Sequence, residues 1–244
     1  MPWKNIFHSV EKLAYFFHGM ENFFPPCGKT AGPQLFLFDL DGTLIDSRAD
    51  LAAAVNAMRA LHGLPALPPA TVAAYVGDGV RTLAVRSLEG AAVDPDLAAR
   101  EISAAYAEHL VDRTAAYPGV DAGLRALRAA GHALALVTNK PAPHARRLMD
   151  HFGWTPLFAV ILGGGDTPEL KPSPLPLQTA MQRAGHVPDN TWMVGDHHTD
   201  LEAARRAGVR SIFLAGGLGH PGAETPDLAC ADFPAFVRNF LPRS

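Results

Sequence analysis

Cysteine is nearly absent from this chain. There are two in 244 residues, Cys27 and Cys230. They stand in no CxxC or His/Cys ligand spacing, which excludes a disulfide framework or a cysteine-ligated zinc module and predicts two free thiols in a reducing cytosol. Long apolar runs are also lacking, so no membrane span is expected. The N-terminus has no uninterrupted apolar stretch followed by a small-residue cleavage site, so the expected location is cytoplasmic. Basic charge is not in excess: 21 Lys and Arg face 24 Asp and Glu, for a net charge of −3. That balance does not fit a nucleic-acid partner. No internal repeat and no low-complexity segment is visible. What is present is apolar bulk: 48% hydrophobic against 18% charged residues permits a packed core, in one large domain or in a core with a smaller insert. Monomer and homodimer both stay open.

Three regions differ in pattern. In residues 1–33, Ile6, Phe7, Val10, Leu13, Ala14 and Phe17 recur at helical spacing, and Pro25-Pro26 with Gly28–Pro33 reads as a linker. This segment is expected to contribute no catalytic group. Gly28-Lys29-Thr30 is not a phosphate-binding loop, because Phe23 stands where the upstream glycine is required. Residues 34–46 and 118–244 read as an α/β core. Apolar runs at Gln34–Leu40, Ala133–Val137, Phe158–Leu162, Thr191–Val194 and Ser211–Leu214 alternate with helical patterns at His144–Phe152, Leu175–Ala184 and Asp200–Ala207. Such alternation predicts a doubly wound parallel sheet, Rossmann-like in its core. Residues 47–117 break it: helices are expected at Asp50–His62, Val80–Leu88 and Asp96–Val111, with no convincing strand, as in a helical cap domain inserted after the first strand.

In an open α/β sheet, ligands bind at the carboxyl ends of the strands. There the sequence places Asp39-Leu40-Asp41-Gly42-Thr43, Thr138-Asn139-Lys140, Lys171-Pro172, and Gly195-Asp196 with Asp200 one helical turn on. Asp39 and Asp41 are two apart on an extended chain and should converge. Converging carboxylates repel unless a cation lies between them, and a hard divalent ion such as Mg²⁺ suits oxygen ligands and a phosphate. Lys171 can neutralise the remaining charge. Thr138 and the amides around Asn139 can donate to phosphate oxygens, and Gly42 lets the backbone approach a ligand. Taken singly, each residue could be a solvated loop residue, and Asp200 merely a helix cap; the joint pattern is not explained that way.

This constellation resembles the haloacid dehalogenase-like superfamily. The match covers about residues 34–220: Phe38-Asp39-Leu40-Asp41-Gly42-Thr43-Leu44 as the first motif, Thr138 as the second, Lys171 in Lys-Pro-Ser-Pro as the third, and Gly195-Asp196 with Asp200 as the fourth. The resemblance implies a two-step phosphoryl transfer. Asp39 attacks phosphorus; Asp41 protonates the leaving oxygen and then deprotonates a water. Asp39, the Asp41 carbonyl and Asp196 would hold Mg²⁺, and Asp200 would orient Lys171 or a bound water. Asp41 favours phosphoryl transfer over dehalogenation, which needs no second aspartate. A response regulator would carry its acceptor after the third strand, not the first.

Several stretches look like the bacterial phosphoglycolate phosphatase family: Asp50-Leu51-Ala52-Ala53-Ala54, Val76-Gly77-Asp78-Gly79-Val80, Tyr117-Pro118-Gly119-Val120, Val137-Thr138-Asn139-Lys140-Pro141 and Gly164-Gly165-Asp166-Thr167. The implied substrate is a small phosphorylated metabolite of carbohydrate metabolism. A sugar-phosphate phosphatase or a phosphosugar mutase on the same core is the alternative, and a binding protein that has lost catalysis a remoter one. Two departures are Asp78 in place of Asn, and His197-His198, which could bind a metal but read better as polar loop residues. A buried substrate carboxylate needs a partner. The cap should supply it, through Arg81 at a helix start or Arg48 at the hinge.

Overall fold

The structure is a computed structural model that describes residues 32–241. The helix expected within residues 6–17, the linker up to residue 31 and Cys27 lie outside the described residues. In chain order the elements are β1 (Leu35–Phe38), β2 (Ile45–Asp46), α1 (Arg48–Leu61), α2 (Pro69–Ala73), α3 (Val80–Leu88), α4 (Pro95–Glu108), β3 (Ala115–Ala116), α5 (Val120–Ala129), β4 (Ala133–Pro141), α6 (Ala142–His151), β5 (Val160–Gly164), α7 (Leu175–Ala184), β6 (Thr191–Gly195), α8 (His198–Ala207), β7 (Arg210–Leu214), β8 (Leu228–Cys230) and α9 (Phe233–Phe240).

Six strands form a parallel sheet in the order β5-β4-β1-β6-β7-β8. This is the doubly wound order, in which the chain leaves the central strand in both directions and helices cover both faces. β1 shows why its sequence is apolar without alternation. Leu35 and Leu37 join Val137, Leu177, Met181 and Met193 on one face of the sheet. Phe36 and Phe38 point the other way, where Phe236 packs edge-on against both rings. With both faces covered, every side chain of β1 is buried. The register sets the last residue of β1, Phe38, opposite Leu136 on one side and Val194 on the other. The loops leaving β1, β4 and β6 therefore reach one rim.

The helices α1 to α4 lie between β2 and β3 in the chain. The expectation of no strand in this stretch needs correction at its end. Ala115-Ala116 pairs antiparallel with Ile45-Asp46, and Tyr117 N–H donates to Leu44 O at 3.0 Å. A two-residue ladder is too short to leave a period in the sequence. The five-residue α2, the helices α5 and α9, and β8 were likewise not legible as elements. β8 pairs with β7 as the edge strand of the sheet, and its last residue, Cys230, is buried and unlinked to any other cysteine among the described residues.

Asp50 in the first turn of α1 fixes where the chain returns from the helices. Its buried carboxylate accepts from Arg113 N (2.9 Å), Thr114 N (2.8 Å), Thr114 Oγ1 (2.8 Å) and Arg113 Nε (3.1 Å). Burial alone would raise its pKa, but these bonds outweigh it and hold the carboxyl below the ordinary 3.8. A folded-state pKa lowered in this way stabilises the fold at all pH above the unfolded value, and the contribution is lost as pH falls through the folded one. Asp50→Ala leaves buried donors unpaired and is expected to cost about 3 kcal/mol. That corresponds to a drop in Tm of roughly 6–12 °C for a domain of this size. A calorimetric loss below about 1 kcal/mol at neutral pH would show that the clamp is not needed.

Candidate active site

Asp39 is the first residue past β1. Its N–H donates to Val194 O at 3.0 Å, which ties it to β6 and brings it beside Asp196 and Asp200. Carboxylate oxygens of Asp39, Asp196 and Asp200 all lie within 4.8 Å of one another, and all three residues are buried. Lys171, from the loop between β5 and α7, reaches this cluster. Its Nζ donates to Asp39 Oδ1 (2.9 Å), Asp200 Oδ1 (2.7 Å) and Val137 O (2.6 Å), so all three of its protons are used. Burial alone would strip its proton, but Asp200 and Asp39 more than compensate and raise its pKa. For Asp200, burial pulls the pKa up while Lys171 pulls it down. With the ammonium 2.7 Å away, the ionised pair is the state this geometry supports.

One ammonium against three buried carboxylates leaves negative charge uncompensated. Asp196 bears the consequence: burial, and then Asp39 and Asp200, push it up to about 7. It is held by Thr43 Oγ1 at 2.9 Å and by the N–H groups of Leu218 and Gly219 at 2.8 and 2.9 Å. Asp39 Oδ2 accepts no hydrogen bond from the described residues. Hard oxygen donors and excess negative charge are what a divalent cation of the Mg²⁺ type requires. Gly42 is also required by a contact within the protein. With φ of +88°, it allows Asp196 itself to come close; a Cβ there would fall 2.1 Å from Asp196 Oδ2. Asp200 is the third residue of α8 rather than its cap; His197 caps α8, and Asp200 Oδ2 accepts from His197 N at 3.1 Å.

Asp41 faces the same cleft but has different partners. Lys140 Nζ donates to both of its oxygens (2.9 and 3.0 Å), Ser47 Oγ donates to Oδ1 at 2.5 Å, and Lys140 also reaches Tyr106 Oη at 2.9 Å. The two aspartates are thus served by separate buried lysines. The cleft encloses about 560 Å³, part of it open to solvent. Asp39, Asp41, Thr138 and Lys140 line it from the core; Gly77 and Tyr106 line it from the helices between β2 and β3.

Thr138 and Asn139 stand at the rim as expected, but the Asn139 side chain is fully engaged elsewhere. Its amide donates to Gly77 O (3.0 Å) and Lys171 O (2.8 Å), and its Oδ1 accepts from Lys171 N (2.9 Å). It positions Lys171 and the Gly77 loop and has no side-chain donor left for a ligand. Arg81 is not brought to the cleft: it is 67% exposed and pairs with Asp96 at 2.7 Å. Arg48 is also exposed and pairs with Asp46. Both pair with acids in solvent, where an arginine is well hydrated. The cation that faces the cleft beside Lys171's cluster is Lys140, from the core. The sequence places it at this strand end but gives it no role, because an ammonium there is explained only by its partners Asp41 and Tyr106, 99 and 34 residues away.

Comparison with known proteins agrees with this geometry. The profile of the haloacid dehalogenase-like hydrolases matches residues 36–214. The chain is similar to the phosphoglycolate phosphatase of Psychrobacter arcticus, at 39% identity over 85% of this chain and 96% of that one. It is 44% identical to that of Chromobacterium violaceum over 77% of this chain and 86% of the other. The crystal structure of a predicted phosphoglycolate phosphatase from Haemophilus somnus superposes with a TM-score of 0.79 at 32% identity, covering 84% of this chain and 97% of that one. With the match spanning most of the chain, including the strand ends that carry Asp39, Thr138, Lys171 and Asp196, the protein belongs to the haloacid dehalogenase-like hydrolases.

Proposed function

We propose that this protein is a Mg²⁺-dependent phosphomonoesterase that acts through an aspartyl-phosphate on Asp39, with 2-phosphoglycolate as its substrate. The observation that carries the reading is the arrangement of Asp39: one oxygen is fixed by Lys171, the other is free, and the cleft opens onto it. Asp39, the Asp41 carbonyl and Asp196 would hold the cation, with Asp200 beside them. Bound there, Mg²⁺ supplies charge neutralisation for the phosphoryl group. Asp39 Oδ2 forms the new bond to phosphorus as the ester oxygen departs, and Asp41, which enters this step as the protonated acid, delivers its proton to that oxygen. Asp41 then takes a proton from the water that attacks phosphorus, which releases phosphate and restores Asp39. Thr138 and the backbone amides around Asn139 donate to the phosphoryl oxygens. The helices α1 to α4 act as a cap domain, residues 47–117, that closes over the cleft and excludes water. A cytoplasmic location belongs to the same proposal. Among the described residues no helix is long and apolar enough to cross a membrane.

Phosphoglycolate carries a carboxylate that must be paired when enclosed. In this reading Lys140 gives up one of its two bonds to Asp41 and turns that donor to the substrate carboxylate, assisted by the N-terminus of α3, whose Gly79 and Val80 line the cleft. The relatives named above carry phosphoglycolate in their own names, which supports the choice of substrate. Phosphate release should be assayed in Mg²⁺ for 2-phosphoglycolate, a sugar monophosphate and ethyl phosphate, which has a similar leaving group but no carboxylate. The wild type is expected to prefer phosphoglycolate, and EDTA to abolish turnover. Lys140→Met should lower kcat/KM for phosphoglycolate about 30–100-fold more than for ethyl phosphate, since a charge-assisted pair is worth about 2–3 kcal/mol. Equal losses on both would confine Lys140 to supporting Asp41. A preference for the sugar phosphate would transfer the reading to that substrate.

A further inference from the structure

Three histidines gather beside Asp196. His197 and His198 open α8, and His220 stands in the loop after β7. Their rings lie close together: 4.2 Å between the centroids of His197 and His198, and 5.8 and 5.7 Å from these to His220. Asp78 joins them from the loop between α2 and α3. One ligand atom from each of Asp78, His197 and His198 lies within 4.8 Å of the others. Three remote stretches of chain thus converge, two from the core and one from the helices above it.

The packing around the rings is built for close approach. A Cβ on Gly77 would fall 2.9 Å from the His197 ring, one on Gly219 would fall 2.6 Å from its Cδ2, and one on Gly222 would fall 3.0 Å from His198 Cβ. His197 Nδ1 sits 3.0 Å from Thr199 Oγ1 and 3.4 Å from Thr199 N; ligation through Nε2 takes the tautomer with the proton on Nδ1, donated to Thr199 Oγ1 in place of the longer capping bond. Outer contacts of this kind fix metal-binding imidazoles. The His198 ring makes no hydrogen bond with a described residue. Asp78 faces Arg86 Nη2 at 2.6 Å but off hydrogen-bonding geometry, so its carboxylate is not fully engaged.

We propose that Asp78, His197 and His198, with His220 or water as a fourth donor, form a second metal site for a borderline divalent ion of the zinc or nickel class, and that filling it ties the Gly77–Gly79 loop to the core. The donor set selects the ion. Two imidazoles and one carboxylate suit Zn²⁺ or Ni²⁺, whereas Mg²⁺ prefers oxygen ligands and belongs with the aspartates. A tetrahedral zinc with bonds of about 2.1 Å has ligand atoms about 3.4 Å apart. Donors now within 4.8 Å need only draw together, and Asp78 is the one on a loop. Gly77 and Gly79 line the cleft, and Gly77 O already accepts from Asn139. An ion at this site pulls that wall toward the core and slows turnover.

The test uses the full chain with Mg²⁺ in excess and Zn²⁺ as the probe. Calorimetric titration should find one Zn²⁺ bound, with His198→Ala and Asp78→Asn each weakening it at least tenfold. Both variants should melt within about 2 °C of the wild type before zinc is added, as expected for partly exposed side chains. Zinc affinity unchanged by either substitution overturns the site. Hydrogen exchange is the second measurement: Zn²⁺ should slow exchange of the amides at 76–80 in the wild type and not in Asp78→Asn. Exchange there that zinc leaves unmoved overturns the tie. The effect on rate rests on the phosphatase reading, whereas binding and exchange need no substrate, so a failure of that reading shows itself separately.

Discussion

Asp39→Asn is expected to lower turnover at least a thousandfold while leaving the fold intact. The loss follows from the chemistry. Asp39 Oδ2 is the carboxylate oxygen free to form a bond to phosphorus, and an amide in its place is neither nucleophilic nor a good cation ligand. The tolerance of the fold follows from the electrostatics. Asp39 is one of three buried carboxylates near a single ammonium, and its charge contributes to the upward push on both Asp196 and Asp200. Removing that charge relieves repulsion, while the amide oxygen can still accept from Lys171. The unfolding temperature should therefore stay level or rise slightly in the absence of Mg²⁺. Retention of more than about a thousandth of the wild-type rate, with a normal melting curve, would count against covalent catalysis by Asp39.

Lys171→Met should damage both properties. The ammonium is buried and is the donor to Asp39, Asp200 and the carbonyl of Val137. Without it, two carboxylates and a carbonyl are left buried with a thioether chain between them. Breaking a buried pair by deleting one partner costs about 3–5 kcal/mol, roughly 6–20 °C in Tm for a protein of this size. Activity should fall by at least a hundredfold, because Asp39 loses its fixed orientation. The double variant Lys171→Met with Asp200→Asn separates the two effects: stability should recover by at least about 1 kcal/mol relative to the single variant, and activity should not. Mg²⁺ should raise the Tm of Lys171→Met more than that of the wild type, since more negative charge is uncompensated there. If the single variant melts within about 1 kcal/mol of wild type, the ammonium is not what holds the cluster together.

These expectations were reached from positions that sequence reading had already singled out, yet several side chains serve a different purpose from the one their motif suggested. Gly42 makes room for Asp196. Asn139 binds the backbone of Lys171 and Gly77. Arg81, placed at a helix start where an anion would be welcome, turns to solvent and to Asp96. In each case the residue's place along the chain was readable, but its partner was not, because that partner lies on another element.

What the sequence determined by itself was whatever repeats locally or sits at a strand end. The apolar runs of β1, β4, β6 and β7 and the helix α7, between Pro174 and Gly185, carry their own periodicity and punctuation. Such signals depend on neighbours within a few residues, and they sufficed to put Asp39, Thr138, Lys171 and Asp196 on one rim. Tertiary structure alone decided the pairings. It set Lys171 between Asp39 and Asp200, gave Asp41 to Lys140 and Tyr106, anchored Asp50 on Thr114, and gathered Asp78 to His197 and His198. Long side chains choose partners by distance in space and by the charge that burial leaves unbalanced. Neither quantity exists until the sheet has brought together residues as far apart in sequence as Asp39 and Lys171, 132 positions from one another.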